Sequence, residues 1–341
     1  MISVVIPVYN AADVIGRCLD SILGNQTDLE VVAVNDGSTD GSGEVLDSYA
    51  AKDSRVKVFH QENRGNSLSR DAGIEKSSGD YIMFADADDR LEKGALDLLA
   101  VYLARKPDLL AFGYWIDFVE ENYSVDRILQ DKTYRDSFAA AVDFIRDTGS
   151  FNLLWNKVYR ADLLRGHHDF PLMKTTGQDF IFNCHVFPRI NSVISIGTQL
   201  YHYEKRARET MVTRYLSDGY GNLQRKEQAL GEMLEAYGRS NDPVYADYML
   251  SEYEVYVLNL FSPQCPLSLQ EKIEEVQKNI YTGDTAEMLK KGHAAGTYTK
   301  LFQKLLKLGP VGLVRVYTVL SSVKNNAGGL YKGIRRVVNR H

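Results

Sequence analysis

The stretch Ile2-Ser3-Val4-Val5-Ile6-Pro7-Val8 decides the fold, together with the alternating pattern of the next fifty residues. A helical pattern covers 13–23, a second apolar run covers 31–34, and another helical pattern covers 42–52. Apolar strands that alternate with helices are typical of a parallel sheet covered by helices. Further strands are predicted at 56–60, 81–84, 109–114 and 193–196, with helices at 66–76 and 93–105. The sequence therefore predicts an α/β protein with a Rossmann-like, mostly parallel central sheet.

Strand patterns fade after about residue 215, and helical patterns follow at 222–237, 243–260 and 269–279. We therefore predict an α/β domain over 1–214. A helical C-terminal region is predicted over 215–341.

Charge is distributed unevenly along the 341 residues. The net charge is −5, yet no acidic residue follows Glu287, while 11 lysines and arginines do. The three cysteines, Cys18, Cys184 and Cys265, are far apart, which favours a reducing compartment. The first residues lack the features of a signal peptide, and no stretch of about 18 apolar residues occurs. These features predict a cytoplasmic protein.

Polar residues follow three of the predicted strands, at Tyr9-Asn10, Asn35-Asp36-Gly37-Ser38 and Asp86-Ala87-Asp88-Asp89. Ligands bind beyond the carboxyl ends of strands in open α/β sheets, so three such clusters indicate a binding site. The alternative is that each cluster is an ordinary turn, since Asn, Asp, Gly and Ser are turn residues. Asp86 and Asp88 leave an extended chain on the same face and can share one cation. A divalent ion such as Mg²⁺ or Mn²⁺, held by one or two carboxylates and substrate phosphates, fits this pair.

Four segments in this order resemble the inverting family 2 glycosyltransferases of the GT-A fold, of the type that makes bacterial polysaccharides and wall polymers. They are Val-Val-Ile-Pro-Val-Tyr-Asn (4–10), Val-Asn-Asp-Gly-Ser-Thr-Asp (34–40), Glu-Asn-Arg-Gly-Asn-Ser-Leu-Ser-Arg-Asp-Ala-Gly-Ile (62–74) and Gly-Asp-Tyr-Ile-Met-Phe-Ala-Asp-Ala-Asp-Asp (79–89). The resemblance covers roughly 1–210, and it implies that 1–214 is a catalytic domain with a nucleotide-binding half at about 1–100 and an acceptor half at about 101–214. It implies a metal-dependent hexosyl or N-acetylhexosaminyl transferase that uses a UDP-sugar.

The resemblance also implies roles for particular residues. Asp36 would accept a hydrogen bond from the uracil N–H, Arg70 would lie near the nucleotide, and Asp88 and Asp86 would hold the metal. The family commonly has Arg-Asn where this chain has Arg70-Asp71, and Asp89 is expected to be structural. The full set expected around the nucleotide is Pro7, Val8, Tyr9, Asn10, Asp36, Gly37, Ser38, Arg70, Asp86, Ala87, Asp88, Arg206 and Arg208.

Inverting transfer needs a base that takes the proton of the acceptor hydroxyl. By the same resemblance, Asp179 is the candidate, downstream of the segment Trp155-Asn156-Lys157. Gln178 stands where the family has Glu, and the alternative role for Asp179 is a helix N-cap. His202 is a third candidate metal ligand, or else a structural histidine beside aromatic residues. A basic loop containing Arg206 and Arg208 would close over the diphosphate.

The predicted acceptor is a glycan, a lipid-linked glycan or a wall polymer. The basic amphipathic pattern over 297–341 predicts peripheral contact with the inner face of the cell membrane or with an anionic polymer. The alternatives are that this segment packs on the catalytic domain or on another subunit of a homo-oligomer. No nucleic-acid recognition motif occurs, so no nucleic-acid partner is predicted. A catalytically inactive nucleotide-binding scaffold, suggested by Gln178, is the alternative function.

Overall fold

The computed structural model of the protein describes residues 1–171, 176–206, 215–294 and 297–326. The chain divides into two compact units. The first comprises 1–144 and 148–207, and the second comprises 145–147 and 208–341.

The first unit is built on a single ten-stranded sheet within the described residues. Its strands are β1 (Ile2–Val8), β2 (Leu29–Asp36), β3 (Val56–Gln61), β4 (Tyr81–Phe84), β5 (Arg90–Leu91), β6 (Leu109–Phe118), β7 (Tyr123–Arg127), β8 (Lys132–Tyr134), β9 (Lys157–Arg160) and β10 (Val193–Lys205). The strand order is β3-β2-β1-β4-β9-β6-β10-β5, while β7 pairs with β6 and β8 with β10. The helices are α1 (Ile15–Leu23), α2 (Ser42–Lys52), α3 (Asn66–Lys76), α4 (Ala95–Leu103), α5 (Ser137–Asp143) and α6 (Gln178–Val186).

The strand β1 lies in the middle of the parallel half of the sheet, between β2 and β4. Its residues Val4, Val5 and Ile6 have no exposed surface, as expected for a strand covered by helices on both faces. Because β1, β2, β3 and β4 all run in the same direction, their carboxyl ends meet at one edge. The polar clusters predicted from the sequence lie along this edge.

Helix α3 packs unusually close to β1. A Cβ atom at Gly73 would lie 2.3 Å from Cγ1 of Val5, which is closer than side-chain atoms can approach. Glycine is therefore required at this position in the helix. The close packing fixes Arg70, one turn earlier on the same helix, relative to the end of β4.

The predicted α/β fold with flanking helices and a helical C-terminal region is confirmed, but the sheet is more mixed than predicted. Strand β9 lies antiparallel between β4 and β6, and β5, β7 and β8 also pair in antiparallel fashion. These strands have two to five residues each, too few for a clear period-two pattern. The parallel pairing of β6 with β10 continues to Lys205, well beyond the predicted strand at 193–196.

The second unit is helical in its described residues. Its helices are α7 (Gly219–Ala236), α8 (Val244–Asn259), α9 (Leu269–Ile280), α10 (Thr285–Lys291), α11 (Thr297–Leu305) and α12 (Gly309–Asn326). Leu250, Val257 and Phe302 are among its fully buried core side chains. Helix α9 begins with a capping box in which Ser268 and Glu271 bond each other's backbone N–H groups. Among the described residues, no helix combines the length and the apolar character that crossing a membrane requires.

Candidate active site

An acidic turn follows β4 at the carboxyl edge of the sheet. Burial and then the charge of Asp86 raise the pKa of the Asp88 carboxyl. A cation bound by Asp86 and Asp88 would relieve this repulsion, and carboxylate oxygen is the ligand that Mg²⁺ and Mn²⁺ accept. In the part of the chain that the structure describes, no group of three or more His, Cys, Asp or Glu side chains is arranged to hold an ion. Asp86 and Asp88 supply two carboxylates, so a divalent ion held by them would need further oxygen ligands.

The third carboxylate of the turn, that of Asp89, is buried and has two partners on β10. One oxygen accepts a hydrogen bond from the Tyr201 hydroxyl (2.9 Å) and the other from the Glu204 backbone N–H (2.8 Å). The Tyr201 hydroxyl also accepts a bond from the Asp86 N–H at 3.0 Å. Asp89 thus connects the acidic turn to β10, which is a positional role and leaves Asp86 and Asp88 for ligands.

One buried guanidinium joins two of the predicted site residues. Arg70, whose side chain is 4% exposed, donates to Asp86 Oδ1 at 2.9 Å and to Asp179 Oδ1 at 2.7 Å. Asp86 and Asp179 are far apart in the sequence, so the fold itself brings them together. Burial acts to lower the pKa of Arg70, but the two carboxylates more than compensate and raise it. Arg70 therefore holds the acidic turn and Asp179 at fixed positions around one charge.

Asp179 lies in the first turn of α6, with 23% of its side chain exposed. Gly177, with φ of 96°, is the residue that precedes the helix, so Asp179 is not its N-cap. Burial raises the pKa of Asp179, Arg70 acts in the opposite direction, and the charge of Asp86 adds to the increase. A carboxyl with a raised pKa is a stronger base when ionised, and the Arg70 guanidinium favours the ionised form. Gln178 is buried beside it at the start of the helix.

Asp36, at the end of β2, organises the loop at 61–65. Its Oδ1 accepts hydrogen bonds from the Gln61 side chain (2.7 Å) and the Arg64 N–H (2.8 Å), and its Oδ2 accepts one from the Gly65 N–H (2.8 Å). Burial opposes ionisation, but these donors lower the pKa of Asp36. Oδ2 has a second lone pair, so this carboxylate can accept one more hydrogen bond.

The loops after β1 and β2 are bonded to each other. The Asn10 N–H donates to the Ser38 hydroxyl (3.1 Å), and the Asn10 side chain accepts from the Thr39 N–H (2.9 Å). Gly37 has φ of 72°, and an added Cβ would lie 2.8 Å from the Asn63 nitrogen, so glycine is required there. Pro7 and Val8 end β1 beside this pair of loops. Tyr9 is 53% exposed, so its ring is available to a planar ligand.

His202 is positioned differently from the predicted metal ligands. Its Nδ1 contacts Asp117 Oδ2 at 2.8 Å, its Nε2 contacts Glu92 Oε2 at 3.0 Å, and its ring stacks on Trp115 at 4.4 Å. Both ring nitrogens therefore have carboxylate partners other than Asp86 and Asp88. The arrangement matches the structural alternative for this histidine.

Arg206, at the end of β10, lies next to the acidic turn, where its charge acts to lower the pKa of Asp88. It donates to Glu204 Oε2 at 3.0 Å. Ala87 lies between the two acidic residues and is buried. Arg208 lies outside the described residues, so its predicted role stays a prediction.

Two residues near the site were not assigned a role from the sequence. Tyr201 bonds both ends of the acidic turn, and the alternation of Tyr201 and Tyr203 with His202 and Glu204 is the period-two signal that could have placed them on a strand. Lys157 is fully buried, and burial lowers its pKa to about 7. Its ammonium donates to the carbonyls of Ser150 and Leu153 and therefore holds the chain that precedes β9.

The comparisons with known proteins agree on one family. The family model described as "Glycosyl transferase family 2" matches residues 3–167. Glycosyltransferase YibD of Escherichia coli is 30% identical over 258 residues, which cover 73% of each chain. Glycosyltransferase EpsH of Bacillus subtilis is 35% identical over 225 residues, and the chain spans 63% of its length.

Among solved structures, the Staphylococcus aureus TarS fragment 1–349 in complex with UDP-GlcNAc is similar over 96% of this chain and 92% of that chain. The TM-score is 0.70 and the sequence identity is 20%. This similarity shows that the two chains share the GT-A fold.

Proposed function

Because this chain belongs to the family 2 glycosyltransferases, we propose that it transfers a sugar from a UDP-sugar to a hydroxyl of a glycan, a glycolipid or a wall polymer. The proposed transfer is a single displacement with inversion, and the sugar is a hexose or an N-acetylhexosamine. The observation that supports this most directly is the Arg70 guanidinium, which joins Asp86 of the acidic turn to Asp179. In this proposal, a donor-binding carboxylate and the base would share one guanidinium as a common partner.

The nucleotide would bind across the loops after β1 and β2. The exposed Tyr9 ring offers a face for the uracil base, and Pro7, Val8 and Asn10 support the loop that presents it. Asp36 would accept the uracil N–H through the second lone pair of Oδ2, beside Gly37 and Ser38. The TarS fragment of the same fold was solved with UDP-GlcNAc, which is consistent with a UDP-sugar donor here.

Asp86 and Asp88 would hold a divalent ion, Mg²⁺ or Mn²⁺, against the diphosphate. Such an ion supplies charge neutralisation to the departing UDP. The two carboxylates orient it, and Asp89 with Tyr201 keeps the acidic turn in place. His202 is not part of this proposed set, since both of its ring nitrogens have partners.

Asp179 would act as the base. Arg70 bonds its Oδ1, so Oδ2 is the oxygen that we assign to take the proton from the acceptor hydroxyl as that hydroxyl attacks the anomeric carbon. The bond from the anomeric carbon to the diphosphate oxygen breaks on the opposite face, and UDP leaves with its electron pair. Proton transfer by a positioned side chain contributes about 10²- to 10⁴-fold to rates of this kind.

A panel of UDP-sugars tests the proposal. We expect UDP release from at least one donor when Mg²⁺ or Mn²⁺ is present, and no release when EDTA removes the metal. UDP binding without release from any donor, with a range of glycan and polymer acceptors supplied, would instead favour the inactive scaffold.

A further inference from the structure

Three arginines surround the carboxylate of Glu204, whose side chain is 4% exposed. Arg17 and Arg206 both approach the same oxygen, Oε2, at 2.7 Å and 3.0 Å. Arg90 approaches Oε1 at 3.4 Å and also contacts Asp117 at 3.2 Å. Arg90 is therefore shared between two carboxylates, whereas Arg17 and Arg206 share a single carboxylate oxygen.

Arg17 and Arg206 share the single negative charge of Glu204. One carboxylate oxygen binds two guanidinium groups, and each guanidinium has five N–H donors. The Nε–H of Arg206 is buried and has no hydrogen-bond partner among the described residues. The Arg17 side chain is 42% exposed, and that of Arg206 is 25% exposed. Both guanidinium groups therefore have N–H donors left that can bind an anion.

The pair lies directly beside the acidic turn. A terminal nitrogen of Arg17 lies 3.4 Å from the Asp88 carbonyl oxygen, and the Glu204 N–H donates to the Asp89 carboxylate. An ion on Asp86 and Asp88 would hold the diphosphate from one side. The two guanidinium groups stand at the same turn and match phosphate oxygens in geometry and charge.

We propose that Arg17 and Arg206 form the cationic side of the diphosphate site, and that Glu204 is the positioning residue that holds them there. Arg17, on α1, is the new member of the site. This inference rests on the proposed function, because it takes UDP as the ligand. A buried carboxylate at this place draws two like charges together before the ligand arrives, so that they need not be reorganised on binding.

The test compares the binding of UDP with that of uridine, which lacks both phosphates, to the full chain by titration calorimetry in Mg²⁺. We expect Arg17→Gln to weaken UDP binding about tenfold to a hundredfold, the range for loss of a charge-assisted hydrogen bond, and to leave uridine binding unchanged. Arg17 is exposed, so this variant keeps the fold. Arg105→Gln, on an exposed arginine after α4, is the matched control and should bind both ligands as the wild type does.

Glu204→Gln tests the positioning role. It keeps the shape of the side chain and removes its charge, so UDP binding should fall as in Arg17→Gln, with uridine binding unchanged. Unchanged UDP affinity in Arg17→Gln would overturn the inference and leave the proposed function standing. If the wild type binds neither UDP nor uridine, the proposed function fails and this inference fails with it.

Discussion

Arg70 illustrates how charge is shared at the scale of single residues. Its guanidinium is bonded to Asp86 and Asp179, and because an arginine keeps its charge when buried, these two carboxylates compensate the loss of solvent. Burial raises the pKa of Asp179, and the charge of Asp86 on the same guanidinium adds to the increase, so the pKa stays raised despite the ion pair with Arg70. We expect transfer to require ionised Asp179, and therefore to increase with pH through the pKa of this group.

Asp71, the residue next to Arg70, is a buried carboxyl with few groups that could stabilise its charge. It is 8% exposed, its Oδ1 has no hydrogen-bond partner among the described residues, and its Oδ2 lies 3.9 Å from His168. Burial raises its pKa from 3.8 to about 6. The folded state therefore binds this proton more tightly than the unfolded state does.

Asp71→Asn should stabilise the protein at high pH only. Folding raises the pKa of Asp71, so the ionised carboxyl destabilises the folded state. This loss of folding free energy is absent below about pH 4, grows towards pH 6 and is constant above that. At pH 8 we expect an increase of about 3 kcal/mol in the free energy of unfolding, and little change at pH 4. Urea unfolding at both pH values measures this, with Asp126→Asn on exposed β7 as the control. Equal effects at both pH values would contradict the assignment.

The residues of the site could be predicted from the sequence only where a local motif marks them. Asp86, Asp88 and Asp36 follow strands, and the topology brings those strand ends together. The partners of Glu204 could not be predicted, because Arg17 reaches it from α1 and Arg90 from β5. Pairs of this kind depend on side-chain geometry across the sheet edge and have no local sequence pattern.

At the scale of elements, the parallel strands β1 to β4 were predictable from the sequence, and the antiparallel strands β5, β7, β8 and β9 were not. Strands β1 and β2 have continuous apolar runs that only a sheet covered on both faces explains. Strand β9 begins at Lys157, the last residue of the segment Trp155-Asn156-Lys157. Nothing in that segment predicts a four-residue antiparallel strand between β4 and β6. Its place depends on pairing with distant strands, which local patterns do not encode.

Helix α12 carries an exposed apolar stripe. Val311 and Val319 are 42% and 63% exposed, and Arg315 lies between them on the same face. Apolar side chains interspersed with basic ones match the surface of an anionic bilayer. We propose peripheral contact of this face with such a membrane, as the basic composition after Glu287 predicts.

Flotation with lipid vesicles tests this contact. The protein should bind vesicles that contain phosphatidylglycerol and not vesicles of phosphatidylcholine alone, and binding should weaken with salt. Val319→Glu should reduce binding severalfold, whereas Glu232→Gln on α7 should not. Absence of flotation, together with a dimer of the wild type that Val319→Glu dissociates, would show that a second copy covers the stripe instead.

At the scale of the whole molecule, charge separates along the chain. The net charge is −5 and residues 288–341 contribute 11 basic side chains with no acidic one, so the first 287 residues carry a net charge of −16. A UDP-sugar is itself an anion. Under the proposed function, its binding to this part of the chain would depend on local cations, namely the metal and the guanidinium groups beside Asp88, rather than on attraction by the protein as a whole.

The central claim is that one centre combines the donor site with a base on Asp179. The most direct test measures Asp179→Asn, which keeps the size of the side chain, for both UDP binding and sugar transfer. The account predicts UDP affinity within a few-fold of the wild type and transfer reduced by about 10² to 10⁴. Transfer at the wild-type rate by Asp179→Asn would contradict it.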